Sequence, residues 1–406
     1  MSIPTEHVLT GLKVLDFTRA VAGPTCTRML AEMGADVIKI EAAPDGDLVR
    51  NVSKFANERS LYYIQQNLNK KSVCLDLRDP RALEIIRDLV PHVDVVVQNF
   101  KPGVMASMGL DYESLKALRE DIILCSISAL GQTGPLALKP GYDYIAQAYA
   151  GITSMIGDPD APPYIPQAAI GDVSTGVHAA LAVTSALLYH ARTGKGQHLD
   201  IGLLDVYYHC HEVNVHQYSG SGGVMQPNRT GRHMGYLAPA GIFAATNGSV
   251  LIMAFLHHWK DLCAAMERPD LVDDEIFGDD ARRLEHVDDT VAIIEAWLAT
   301  LPDVDSAVDI LEAHNVPCAP ILSVAETVTH PHLVQRGTVR TITDRIAGEF
   351  QIPGNPLRFS AFPEPPDYVA ATLGEHNREI LREVLGKDAA TIDSLYADGV
   401  LIEKPV

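Results

Sequence analysis

At 406 residues with 47% hydrophobic side chains, the chain carries enough apolar surface for a large domain plus a smaller one, and a single small core is excluded. A net charge of −20 sets most of the surface against nucleic acid and anionic membranes, so any phosphate-bearing ligand needs a local basic site. The six cysteines show no paired spacing and read as free thiols, several of them buried.

The first forty residues read as βαβ: Leu12–Phe17 is a short apolar run, Gly23–Gly34 has helical periodicity and Asp36–Ile40 is apolar again. Ser72–Leu77 follows as a strand, Pro80–Leu89 as a helix with proline near its start, and Val93–Val97 and Ile122–Ile127 as strands. This alternation predicts an α/β protein with a Rossmann-like parallel sheet and ligands at the carboxyl ends of its strands. The turn after the first strand lacks the spaced glycines of a dinucleotide fingerprint, so no nicotinamide cofactor is expected. Lys70, Lys71, Arg78 and Arg81 form a candidate basic cluster for phosphates, the alternative being a solvated loop.

Gly171-Asp172 stands directly before a long apolar helix that opens at Val173. A carboxylate at a helix mouth is kept ionised by the helix dipole and by free amides, and the bare Gly171 lets a substrate carbonyl approach, which makes Asp172 a candidate nucleophile. An N-cap is the competing role for the same aspartate. The turn Thr193-Gly194-Lys195-Gly196 closes the helix and leads into a strand at His198–Ile201.

Ser219–Gly223 reads as a linker into a smaller α+β domain with strands near Gly241–Ala244 and Val250–Ala254 and helices near Trp259–Met266 and Thr290–Leu301. The Pro-rich stretch Val316–Pro320 marks the return. The expected boundaries are 1–218 for the first part of the large domain, 228–305 for the small domain and 320–406 for the part that rejoins the large one. His209-Cys210-His211-Glu212 fails the zincin spacing, because His211 and His216 are five apart, and His257-His258 is an adjacent pair whose rings should point apart. No metal site is expected. Residues 1–7 carry no signal-peptide pattern, and the apolar run near Val177–Tyr189 is too short to span a bilayer, so a cytoplasmic protein is expected.

Ala168-Ala169-Ile170-Gly171-Asp172-Val173-Ser174-Thr175-Gly176 resembles the segment that carries the catalytic aspartate of the class III CoA-transferases. Further segments match that family in order, among them Leu15-Asp16-Phe17-Thr18, Gly34-Ala35-Asp36-Val37-Ile38-Lys39-Ile40-Glu41, Gln98-Asn99-Phe100-Lys101-Pro102-Gly103 and Leu373-Gly374-Glu375-His376. The resemblance covers essentially the whole chain. It implies a CoA-transferase that moves CoA from an acyl-CoA donor, succinyl-CoA or another small acyl-CoA, to a carboxylic acid acceptor. It also implies aspartyl anhydride and aspartyl-CoA thioester intermediates, no tightly bound cofactor, and an interlocked homodimer.

By the same resemblance Leu75, Arg78, Asn99, Phe100 and Lys139 contact CoA and Val21 and Tyr62 face the substrate; Tyr142 either lines the CoA or acyl site or packs as an aromatic, and Gly171 and Arg19 are substrate candidates on their own chemistry, a bare backbone and a guanidinium. The related α-methylacyl-CoA racemases carry histidine at the position of Tyr142. A phenol with an ordinary pKa near ~10 is a poor proton relay at neutral pH, which favours transfer over racemisation. Two alternatives stay open: an acyl-CoA racemase or epimerase of the same fold, and a CoA-ester-binding subunit of a heteromer. Val21 replaces a glutamine of formyl-CoA transferase and Ala42 an arginine, and the glycine-only loop of that enzyme is absent, which argues against oxalate. Arg19, Arg229, Arg232 and His233 are the residues available for gripping a second carboxylate, or else are surface arginines.

Overall fold

The computed structural model describes residues 7–362 and 369–405, so residues 1–6 of the N-terminal stretch considered above lie outside the described part. The chain divides into two compact units, one formed by 1–150, 166–211 and 331–406, the other by 151–165 and 212–330.

The first unit is built on a six-stranded sheet in the order β3-β2-β1-β4-β5-β6. The strands are β1 (Lys13–Asp16), β2 (Asp36–Ala42), β3 (Lys70–Leu75), β4 (Val95–Gln98), β5 (Ile123–Ser128) and β6 (His198–Gly202). All pair in parallel, with Leu15 set between Ile38 and Val96. Strands covered on both faces need continuous apolar runs, which is why Val95-Val96-Val97 and Ile123-Leu124-Cys125 are buried throughout. The order reverses between β1 and β4, the switch point at whose carboxyl ends α/β sheets place their ligands.

The helices of this unit include α1 (Ala22–Glu32), α2 (Leu61–Gln66), α3 (Pro80–Leu89), α4 (Asp143–Tyr149), α5 (Ile170–Thr193) and α6 (Leu203–His209). α3 has the sequence-expected limits because Asp79 caps it and Pro80 opens it. α5 begins at Ile170, two residues before Asp172, with Ala169 at the N-cap. Gly176 lets α5 press on α1: a Cβ there would lie 2.6 Å from both the Ala22 carbonyl oxygen and Thr25 Cβ. The second turn of α5 thereby packs on the first turn of α1.

The segment after Pro331 returns to this unit. Ile380, Leu381, Ile392, Leu395, Val400 and Leu401 enter the same core as Leu15, Ile38 and Val96. Leu373-Gly374-Glu375-His376-Asn377 is a clamp on β3: Asn377 Oδ1 accepts from Cys74 N–H, the His376 amide donates to the Ser72 carbonyl, and the Gly374 amide donates to Ser72 Oγ.

The second unit has an antiparallel sheet of Ala240–Ala245, Gly248–Met253 and Cys318–Pro320, with helices His258–Ala265, Val287–Leu298 and Val304–Ala313. Its limits differ from the expected 228–305. Residues 151–165 belong to it because the Arg229 guanidinium holds the Ser154, Asp158 and Pro159 carbonyls, and Cys318–Pro320 supplies a strand instead of ending the unit. The Ser/Gly stretch at 219–223 lies inside this unit and links nothing.

Candidate active site

β1 passes to α1 through Phe17–Val21, a loop whose amides are all committed from 17 to 20. They donate in turn to the Val97 carbonyl, Asp16 Oδ1, Asn99 Oδ1 and Asp47 Oδ1. Asn99 Nδ2 returns a bond to the Arg19 carbonyl at 2.8 Å, so Asn99 clamps Arg19 in both directions across the switch point. The Arg19 guanidinium lies 5.1 Å from the Phe100 ring centroid, a cation–π contact. Arg19, Asn99 and Phe100 thus form one cluster, with Val21 buried behind it at the N-cap of α1.

Beneath the loop lies a layer of buried ion pairs: Lys70 with Asp16 (3.2 Å), Lys39 with Asp47 (3.1 Å) and Arg50 with Glu41 (2.6 Å). Burial alone would raise Glu41, yet Arg50, Lys39 and the Ser72 hydroxyl hold it down at about 2. The expected basic cluster is therefore not assembled. Successive strand residues point to opposite faces, so Lys70 turns inward while Lys71 pairs with Asp36 and Glu379 on the surface. Arg78 and Arg81 are forked on Asp76 and Asp79.

Asp172 sits half-buried in the first turn of α5. Burial, and then the neighbouring Asp143 carboxylate, push it up to about 7. This overturns the expectation that the helix dipole keeps it freely ionised. Its main-chain N–H donates to Asp143 Oδ2 (3.2 Å), and the Gly171 N–H donates to the Tyr207 hydroxyl oxygen (3.1 Å). Both amides are therefore occupied and are not open donors for a substrate oxyanion. Nor is Gly171 an open approach for substrate: a Cβ there would stand 2.1 Å from Tyr207 Cε2 and 2.5 Å from Asp143 Oδ1. Among the described residues no donor reaches the Asp172 carboxylate. Tyr62, in the first turn of α2, has its phenol raised by burial and then by the charges of Asp172 and Asp47.

The remaining expected contacts lie apart. The Leu75 side chain is fully buried in the core at the end of β3, with its carbonyl accepting from Ala43 N–H. Lys139 reaches the Tyr149 hydroxyl at 3.4 Å, and Tyr142 is 80% exposed, which rules out a packing role within this chain. No hydrogen bond, ion pair or ring contact joins Arg78, Lys139 or Tyr142 to the Asp172 turn among the described residues. Arg229 is spent on carbonyls and Arg232 on Glu295, so neither presents a free fork. The His209–His216 segment is broken between α6 and a helix at Asn214–Gly220, and the His257 and His258 rings lie against each other at 3.9 Å instead of pointing apart. Asp143 and Tyr207 are the residues that sequence reasoning missed; the obligatory glycine at 171 was their only trace.

The profile of CoA-transferase family III matches residues 9–377, and the chain belongs to that family as an enzyme of its class. It is 33% identical to a succinyl-CoA:glutarate CoA-transferase of Mus musculus over 97% of this chain and 90% of the relative. It is also 33% identical to a formyl-CoA:oxalate CoA-transferase of Rhodopseudomonas palustris, over 97% of each chain. A succinyl-CoA:mesaconate CoA-transferase of Haloarcula hispanica is 36% identical over 92% of this chain and 96% of its own. Among solved structures, a CaiB/BaiF family protein from Brucella suis superposes with a TM-score of 0.82 at 33% identity, covering 93% of this chain and 99% of that one.

Proposed function

We propose that this enzyme transfers CoA from a small acyl-CoA, succinyl-CoA first among the candidates, to a small carboxylic acid, with Asp172 as nucleophile. The observation that carries this reading is a half-buried carboxylate in the first turn of α5 that, among the described residues, no cation neutralises and no donor occupies. An Asp172 oxygen attacks the thioester carbon and expels CoA thiolate, leaving a mixed anhydride. The thiolate then attacks the aspartyl carbonyl, releasing the donor acid and forming an aspartyl-CoA thioester. The acceptor carboxylate displaces the thiolate to give a second anhydride, and thiolate attack on its acceptor carbonyl yields the product and restores Asp172. The thioester's free energy is conserved at each step, which requires that water be kept out. Tyr62, whose raised phenol stays protonated, is the candidate donor to the oxyanion.

Arg78, Lys139, Phe100, Asn99 and Tyr142 remain candidates for CoA contact, and Arg19 and Val21 for the substrate. A homodimer is part of the proposal. Ile170, Val173, Val177, Leu181 and Leu188 form an exposed apolar stripe along α5, which is supporting ground for burial against a second copy. Light scattering at rising concentration tests this part, and a monomer throughout would sink it.

The catalytic proposal is tested by mass spectrometry of acyl-CoA products after incubation with succinyl-, acetyl- or formyl-CoA and a panel of mono- and dicarboxylates. Exchange that drops on the order of 10⁴-fold in Asp172→Ala is the expected result. Undiminished exchange in that variant removes Asp172 from the mechanism. Uptake of α-deuterium without any acceptor would replace transfer by racemisation.

A further inference from the structure

The first four N–H groups of an α-helix have no partner within the helix. In α5 the i→i−4 ladder begins at Val173, which donates to the Ala169 carbonyl (3.1 Å), and of the amides ahead of it Ile170 donates to the Ala168 carbonyl (2.9 Å). The N-cap side chain is that of Ala169 and gives nothing. The two amides between Ile170 and Val173, those of Gly171 and Asp172, are the pair that carries the proposed nucleophile, and both are met from other helices. Tyr207 on α6 accepts from Gly171, and Asp143 on α4 accepts from Asp172. The two capping groups are themselves joined, since the Tyr207 hydroxyl donates to Asp143 Oδ1 and accepts from Gln147 Nε2 (3.2 Å).

We propose that Tyr207 is a positioning residue for Asp172: through Asp143 and the Gly171 amide its hydroxyl fixes the first turn of α5 and so the direction of the nucleophile. One oxygen ties three elements, α4, α5 and α6, to the turn. The Tyr207 ring fills the space that any side chain at 171 would need, so the turn is held by contact as well as by hydrogen bonds. Removing the hydroxyl leaves the ring in place and takes away only the tie. The Gly171 N–H, Gln147 Nε2 and Asp143 Oδ1 then each lose one hydrogen bond.

This inference rests on the transferase reading for its catalytic consequence but not for its structural one, and the test separates them. Full-length Tyr207→Phe and wild type are compared by amide hydrogen exchange of the peptide spanning Gly171 and Asp172, and by steady-state acyl exchange. Protection at Gly171 is expected to fall about 10-fold or more while β1 and β4 peptides are unchanged, as a lost buried partner dictates. In the same variant kcat is expected to fall about 10-fold with KM for acyl-CoA within about 2-fold, since a misaligned nucleophile loses transition-state contacts and not binding. Unchanged protection at Gly171, or a loss spread evenly over the sheet, overturns the proposal. So does a parallel change of kcat and KM. If the wild-type protein shows no acyl exchange, the transferase reading fails alone and the exchange protection still decides the role of Tyr207.

Discussion

Two sets of carboxylates, one buried and one buried to half-buried, are treated in opposite ways in the first unit. Under the β1–α1 loop each of Asp16, Asp47 and Glu41 has a cation of its own, and Glu41 is held down at about 2. At the start of α5, Asp172 lies beside Asp143 of α4 with no cation partner for either among the described residues, and Asp172 is pushed up to about 7. Pairing turns the first set into scaffold; withholding it leaves the second poised for chemistry. The pH dependences have opposite sign. Glu41, lowered in the fold, contributes stability that is present above its ordinary value and lost as pH falls through about 2. Asp172, raised in the fold, contributes stability present below its ordinary value and lost as pH rises through about 7.

The contrast breaks most visibly at the scaffold. Glu41→Ala leaves Arg50 buried without its carboxylate and is expected to cost about 3–5 kcal/mol in chemical denaturation at pH 7. A loss below about 1 kcal/mol would show that the pair is no scaffold element. Next in size is the pH profile of acyl transfer: kcat/KM should rise about tenfold per unit below pH 7 and level off above it, because in the proposed mechanism only ionised Asp172 attacks. A profile flat from pH 5 to 8 would contradict a raised Asp172. The smallest effect sharpens the comparison. Asp143→Asn removes the like charge but not the burial, so the midpoint of the profile should move below 7 by roughly one unit and stop short of the ordinary carboxylate value. A midpoint that stays at 7 would assign the whole shift to burial.

The sheet was legible in the sequence because parallel strands covered on both faces write themselves as apolar runs, as at Val95–Val97, and because Asp79-Pro80 announces a helix start. The site was legible only in part. Asp172 stood out beside Gly171, but the true start of α5 at Ile170 did not, since its caps come from Asp143 and Tyr207, 29 and 36 positions away in the chain. Local rules expect a cap next to the helix it serves. The same blindness merged Lys70 with Lys71 into one basic patch, although neighbouring strand residues face opposite ways and only Lys71 reaches the surface. The Arg229 and Arg232 guanidiniums look free in a sequence and are claimed in the fold by main-chain carbonyls and Glu295.

The clamp of Leu373–Asn377 on β3 has a consequence for the ribosome-bound chain. Cys74 waits for Asn377, made 303 positions later, and the core around Leu15 and Ile38 waits for Ile380, Leu395 and Leu401. During synthesis the sheet that is made early is finished late, with the whole of the second unit emerging in between. The β3 edge and the apolar face beside it stay uncovered for that interval, which makes the nascent first unit the natural client of whatever shields exposed strands on the way out.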